Sequence, residues 1–242
     1  MRGRGRRARR PGGRRRRAER RVTDGAVRRP GVIAVFGGTF DPPHWGHVRA
    51  AEAVRDRVGV EAVWLVPARI PPHRATPRLP AAERLGLVEE AVAGRRRLLA
   101  SRVELDREGP SFTMDTLDGL AAGRDRPAGG AGVLFVVGSD AFQEIRTWSR
   151  YEQLLDRHPV LVHRRAGCAI AEAVTVLPRR FRTRVTADLS APLIPPRILT
   201  LDIDLPDPQS YRIRELLKQH TPVDHLVPPR VAARIAERGF YR

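Results

Sequence analysis

Apolar and polar positions along this chain recur in a fixed order: a short unbroken apolar run, a turn, then a stretch with helical spacing. Residues 32–36, 62–67, 133–137 and 159–162 are runs of the first kind, and 98–105 and 198–203 read as further strands with polar residues among the apolar ones. The continuous runs predict strands covered on both faces. Residues 48–58, 81–93, 210–219 and 229–238 have apolar positions three and four apart and predict helices. Pro80 and Gly94 bracket one of these, and Gly239 follows another, as start and stop signals should. A further helix is expected through Met114, Leu117 and Leu120 to Ala122, with Ser111 as its N-cap, and two short ones near 141–145 and 151–155. Residues 169–195 carry no firm pattern. Strand and helix in alternation predict an α/β fold: a doubly wound parallel sheet with helices on both faces. In such sheets a ligand sits beyond the carboxyl ends of the strands, where the strand order reverses.

Composition alters this picture only at the N-terminus. The length of 242 residues suits one large domain, and no apolar run approaches the roughly 18 residues of a membrane span. The single cysteine, Cys168, excludes an internal disulfide and a Cys-rich zinc site, and fits a cytoplasmic protein. The net charge of +18 suggests nucleic acid until it is located. Residues 1–30 hold 14 arginines against Glu19 and Asp24, which is +12 of that total. The chain therefore divides into an Arg-rich extension, 1–30, expected to be disordered, and a mildly basic domain, 31–242. The extension reads either as an arm for nucleic acid or an anionic membrane, or as a segment with no such role. No aromatic residue is interleaved with its arginines, as base stacking would want. It has the Arg-rich character of a transit peptide, but Pro11, Gly12 and Gly13 interrupt any amphipathic helix.

Candidate chemistry gathers where strands end. The stretch Gly37-Gly38-Thr39-Phe40-Asp41-Pro42-Pro43-His44-Trp45-Gly46-His47 follows the first strand and leads into a helix. Free backbone N–H groups and a helix N-terminus beside two imidazoles make a place to hold phosphate. His44 and His47, three apart at a helix start, project from neighbouring positions. No further His, Cys pair or nearby Glu completes a zinc site around them, and no nucleophile elbow needs activating. Stabilisation of charge in a phosphoryl-type transfer fits better. A second proline-rich turn ends in His73 and Arg74, which could add phosphate donors or form a solvated basic loop. Gly138-Ser139-Asp140 follows the fourth strand, where Asp140 could accept from ribose hydroxyls. Trp148 could stack on a planar ring or pack in the core. Arg212 and Arg214, at the start of a C-terminal helix, could reach a triphosphate or lie on a solvated face.

Taken in order, these segments resemble the nucleotidyltransferase superfamily, whose signature is the Gly-Gly-Thr-Phe-Asp-Pro…His-x-Gly-His stretch at 37–47. More narrowly, the chain resembles bacterial nicotinate-nucleotide adenylyltransferases. Val66-Pro67 with Pro71 to Arg74, Pro110-Ser111-Phe112-Thr113-Met114-Asp115-Thr116-Leu117, Gly138-Ser139-Asp140 with Thr147-Trp148, and Val227-Pro228 through Gly239-Phe240-Tyr241 carry that likeness. The resemblance implies a Rossmann-like fold and transfer of AMP from ATP to nicotinic acid mononucleotide, giving deamido-NAD and pyrophosphate. It implies that His44 and His47 are catalytic, that His73 and Arg74 hold phosphate, and that Thr113 and Trp148 bind the nicotinate nucleotide. It further implies ATP binding by Gly38, Thr39, Phe40, Gly138, Asp140, Ser210, Ile213 and Arg214, with Mg²⁺ carried on the ATP phosphates rather than on a protein metal site. A homo-oligomer is compatible with it. One segment departs from the pattern. The C-terminal helix of the family opens Ser-Ser/Ala-Thr-x-Ile-Arg, whereas here Gln209-Ser210-Tyr211-Arg212-Ile213-Arg214 puts tyrosine at the threonine position. That leaves open a nucleotide-binding paralogue without turnover, and an enzyme acting on nicotinamide mononucleotide or phosphopantetheine.

Overall fold

The apolar runs become strands and the periodic stretches become helices. The order is β1 (Arg29–Gly38), α1 (Trp45–Val58), β2 (Val60–Pro67), α2 (Ala81–Val92), β3 (Leu98–Ala100), α3 (Thr113–Ala121), β4 (Gly132–Gly138) and α4 (Ser139–Gln143). After a 3-10 turn (Ile145–Thr147) come α5 (Tyr151–Arg157), β5 (Val160–His163), α6 (Ile170–Thr175), α7 (Arg179–Arg182), β6 (Val185–Thr186), β7 (Ile198–Leu201), α8 (Ser210–Lys218) and α9 (Pro229–Arg238). The computed structural model describes residues 28–72, 75–123, 132–165, 167–206 and 208–242. The arginine-rich segment up to residue 27, and with it its nucleic-acid reading, lies outside the described residues, as do His73 and Arg74.

All seven strands pair in parallel, in the order β3-β2-β1-β4-β5-β7-β6, which is the Rossmann-like α/β sheet expected from the alternation. The chain starts in the middle at β1, moves outward to β3, then crosses back to β4 and winds to the other edge. Strand order thus reverses between β1 and β4, and a crevice opens beyond their carboxyl ends. The register brings Gly37 beside Val66 and Gly138 beside His163, so the turns after β1, β4 and β5 face one another.

Successive side chains of β1 serve opposite layers. Ile33 and Val35 pack with Met114, Leu117, Phe142 and Leu154 on one face, and Ala34 and Phe36 with Ala51, Val54 and Val88 on the other. A third cluster forms where α1 and α2 meet the C-terminal helices, around Val48, Leu87, Ile213, Val227 and Val231. It fixes α8 beside the start of α1.

Four expectations are corrected in detail. The strand expected over 98–105 stops at Ala100, because Leu105 and Asp106 turn back onto the Arg102 carbonyl, 2.7 and 3.1 Å away. α1 begins at Trp45 rather than at 48, so His47 lies inside its first turn. β1 begins at Arg29, within the segment assigned to the extension; its buried guanidinium donates to the carbonyls of Val58, Leu189 and Ala191 and makes it part of the fold. Ser111 is not the N-cap of α3, a place held by Phe112; its Oγ accepts the Arg69 N–H at 2.8 Å instead. Residues 169–195, left without assignment, are built from α6, α7 and β6, pieces too short to show a period. No helix among the described residues is long and apolar enough to cross a membrane.

Candidate active site

The turn after β1 owes its shape to its sequence. Phe40 has a positive φ of 51° and turns its ring back under Gly38, edge-on to His47 with centroids 4.9 Å apart. Pro42, joined to Asp41 by a cis bond, and Pro43 then carry the chain through a bend to His44, the N-cap of α1. The His44 N–H donates to Nδ1 of His47 at 3.2 Å, which satisfies one of the helix's free first-turn groups. An Nδ1 that accepts leaves the His47 proton on Nε2, so the neutral ring is a hydrogen-bond donor. The two imidazoles stack at 3.7 Å, with His44 buried behind His47.

Gly46 between them has no substitute. A Cβ there would stand 2.7 Å from the Pro206 carbonyl oxygen and 3.0 Å from the His44 ring. Gly46→Ala is therefore expected to push His44 and His47 out of place. Kinetics should show kcat/KM down by about 100-fold, the cost of a small misplacement of catalytic groups. A folded variant with wild-type kinetics would refute this reading of the packing.

The turn is anchored from outside. Asp41 accepts the Arg78 N–H at 2.7 Å and the Tyr241 hydroxyl at 2.8 Å, and its carbonyl accepts from Arg214 at 2.7 Å. Burial and the Asp41 charge push the Tyr241 hydroxyl far above its ordinary range, so it stays a donor. Ser210 Oγ donates to the Pro42 carbonyl at 2.9 Å. Arg84, 1% exposed, donates to the carbonyls of Thr39, Ala68, Arg69 and Leu79, joining the turn after β1 to the loop after β2.

The opposite wall comes from β4 and β5. Ser139 Oγ donates to the Cys168 carbonyl at 2.7 Å and accepts the Arg165 N–H at 2.9 Å, which holds the loop after β5 against α4. Gly138 permits this approach, since a Cβ would lie 2.6 Å from Asp140 Oδ1 and 2.7 Å from Arg165 Cγ. Arg165 and His163 belong to this wall and lie near enough for their charges to act on His47. Burial, with the Arg165 charge added, lowers the pKa of His44 to about 3 and that of His47 well below its usual value. Burial likewise takes His163 to about 4, the neighbouring Arg164 carbonyl pulling the other way. At neutral pH all three imidazoles are uncharged.

Between these walls lies a cleft of about 240 Å³. Its lining also includes Pro71, Pro72, Phe112, Thr113 and Trp148, with Glu104 and Glu144. Trp148 is half-buried, tilted against Phe135 at 5.9 Å. Glu104 accepts the Thr116 hydroxyl at 2.7 Å, and burial raises its pKa.

Of the residues singled out from sequence, Gly38, Thr39, His47, Thr113, Gly138, Asp140 and Trp148 line this one cleft. His44 backs His47. Phe40 is buried and shapes the turn from below. Ser210 and Arg214 meet the turn from its outer side, through backbone carbonyls, while the Ile213 side chain is buried in the third core cluster and its N–H donates to the Gln209 carbonyl at 3.1 Å. Sequence reading missed Arg84, Asp41, Tyr241, Glu104, His163 and Arg165. For Arg84 a signal existed: it shares a helical face with Leu87, Val88 and Ala91, where an arginine must be buried and bonded.

A strand-turn-helix phosphate cradle at the switch point of a parallel sheet defines a nucleotide-handling α/β protein. A family model described as cytidylyltransferase-like matches residues 35–216, and the chain belongs to that family. Within it, a protein of Halorhodospira halophila named "Probable nicotinate-nucleotide adenylyltransferase" is 38% identical over 216 residues, covering 87% of this chain and 95% of that one. A Pseudomonas aeruginosa protein of the same name is 38% identical over 211 residues, covering 87% and 97%. The chain is a member of the nicotinate-nucleotide adenylyltransferase family. The fold is shared with Plasmodium falciparum nicotinic acid mononucleotide adenylyltransferase complexed with NaAD, at a TM-score of 0.66 and 16% identity, over 87% of this chain and 97% of that one.

Proposed function

We propose that this protein transfers the adenylyl group of ATP to nicotinic acid mononucleotide. A phosphate oxygen of the mononucleotide attacks the α-phosphorus, the bond from that phosphorus to the oxygen bridging to the β-phosphate breaks, and pyrophosphate leaves with that oxygen. Deamido-NAD remains. The observation that carries this reading is one cleft whose lining holds both His47 and Arg165, a donor and a guanidinium, and Trp148 and Thr113, an aromatic ring and the start of α3.

No covalent intermediate is needed. Negative charge grows on the equatorial and bridging oxygens of the transferring phosphoryl group, and fixed donors lower the barrier by meeting it there. His47 Nε2–H is such a donor, and His44 holds it in place. Backbone N–H groups near Gly38 and Thr39 line the same cleft. Asp140 accepts from the ATP ribose beside Gly138. Ser210, Ile213 and Arg214 serve ATP from the α8 side, Ser210 and Arg214 by holding the turn. Phe40 acts through the turn it shapes, and His73 and Arg74 remain proposed phosphate ligands. Among the described residues no three His, Cys, Asp or Glu side chains gather to hold a metal ion. Mg²⁺ in this reading is part of the substrate, MgATP, where it offsets charge on the phosphates.

At the acceptor end Trp148 stacks on the pyridine ring. The α3 helix has no side-chain cap, so the first-turn N–H groups of Thr113 and Met114 and the positive end of its dipole favour a carboxylate. Glu104 and Glu144 on the same wall favour an amide instead, which supports nicotinamide mononucleotide as a second reading. Supplying both mononucleotides with MgATP and identifying the products separates the two. Deamido-NAD should form with kcat/KM higher by about 10-fold or more, since a site that pairs one substrate's groups penalises the analogue. Preferential formation of NAD would overturn the acid reading, and absence of pyrophosphate with either would overturn the enzyme.

A further inference from the structure

His163 stands at the carboxyl end of β5, opposite Gly138 of β4, and forms part of the cleft wall. It is 1% exposed, and its ring is edge-on to Phe36 with centroids 5.5 Å apart. Its Nδ1 lies 3.1 Å from the Arg164 carbonyl oxygen. A carbonyl can only accept, so Nδ1 carries the proton and Nε2 keeps a lone pair. That Nε2 is buried and has no hydrogen-bond partner among the described residues. A buried acceptor left unpaired is costly and calls for a partner that arrives later.

The surroundings restrict what that partner is. The charges acting on the ring are Arg165, which disfavours a second positive charge, and Asp140, which favours one; burial outweighs both and keeps it neutral. A neutral imidazole in this tautomer offers the cleft an acceptor and no donor. ATP phosphates present oxygens alone, and would meet that lone pair with repulsion. The ribose hydroxyls are donors. Asp140, in the first turn of α4 two residues after Gly138, lines the same wall, and Gly138 is the neighbour of His163 in the sheet.

We propose that His163 Nε2 accepts a hydrogen bond from a ribose hydroxyl of ATP, sharing the sugar with Asp140, and so makes this site prefer ribonucleotides to deoxyribonucleotides. This rests on ATP being the substrate. The test compares ATP, 2′-deoxy-ATP and 3′-deoxy-ATP on the full-length protein. Calorimetric binding and kcat/KM with nicotinic acid mononucleotide are the readouts, for wild type, His163→Val and His163→Gln. In the wild type, one of the deoxynucleotides should lose about 10-fold. His163→Val should lose a similar factor on ATP and nothing further on that deoxynucleotide. His163→Gln, which restores an acceptor, should recover part of the discrimination and stands in if the valine variant does not fold. Full wild-type penalties for both deoxynucleotides in the variants would overturn the proposal. So would an equal loss on all three nucleotides, the mark of a phosphate contact rather than a sugar contact. Wild-type turnover of ATP itself reports separately on the proposed function.

Discussion

Replacing His47 by alanine is expected to lower kcat by about 100- to 1,000-fold, with a much smaller change in KM for ATP. The ring is a preset donor: its Nδ1 is engaged by the His44 N–H at 3.2 Å, so Nε2–H is fixed in direction before substrate enters. Alanine removes that donor where charge grows during transfer, and leaves a gap that water fills at the cost of reorganisation. The remaining rate comes from Arg165, from the N–H groups of the turn and from the joint binding of two substrates. His44→Ala should do less directly and more through its neighbour, because His44 is buried behind the His47 ring. The measurement is pyrophosphate release under saturating substrates, with circular dichroism to show that the variant is folded. A folded His47→Ala protein with near-normal turnover would exclude the role given to this residue.

The second large effect is on stability in acid. The pKa of His44 is about 3 and that of His163 about 4 in the native state, with that of His47 also well below its usual value, whereas unfolded histidine titrates near 6.5. As pH falls below about 6.5 the unfolded chain takes up protons that the native protein refuses, so stability falls with pH down to the native values. Each such proton contributes about 1.4 kcal/mol per pH unit. Glu104 works in the opposite direction: burial raises its native pKa, so the native state gains a proton first and offsets part of one histidine. The net of roughly two protons should remove about 3–5 kcal/mol between pH 6.5 and 4.5, a large share of the 5–15 kcal/mol of an ordinary domain. Urea titrations at pH 7.5, 6.0 and 5.0 measure this, and a flat profile would contradict neutral burial of the three rings. Adding ATP should shift acid unfolding to lower pH, because phosphate charge offsets the cost of protonating them.

Much of this architecture was legible because its strands are unbroken apolar runs, which read the same whichever neighbours they find. The Gly37–Gly38 turn and the two histidines were legible for a related reason: close approach to phosphate leaves few residue types that fit. What escaped the sequence is whatever depends on distant partners. Nothing near Asp41 announces that a tyrosine at 241 donates to it, and Glu104 looked like one more charge beside Arg102 in a strand expected to continue to residue 105. Ser111 was placed as a helix cap on local grounds, and lost that role to Phe112 because the Arg69 N–H competes for its hydroxyl. His163 gave no signal, since its significance lies in a tautomer that only the Arg164 carbonyl reveals.

The bond from Tyr241 to Asp41 also sets an order of events during synthesis. The ribosome delivers the Gly-rich turn, both of its histidines and the inner strands long before residue 241 exists. A growing chain therefore carries Asp41 with its bond from the Arg78 N–H but without those from Tyr241 and Arg214, which come late. Until then the early segments hold their places by hydrophobic packing, strand pairing and the bonds of Arg84, and the outer anchor of the turn is completed last.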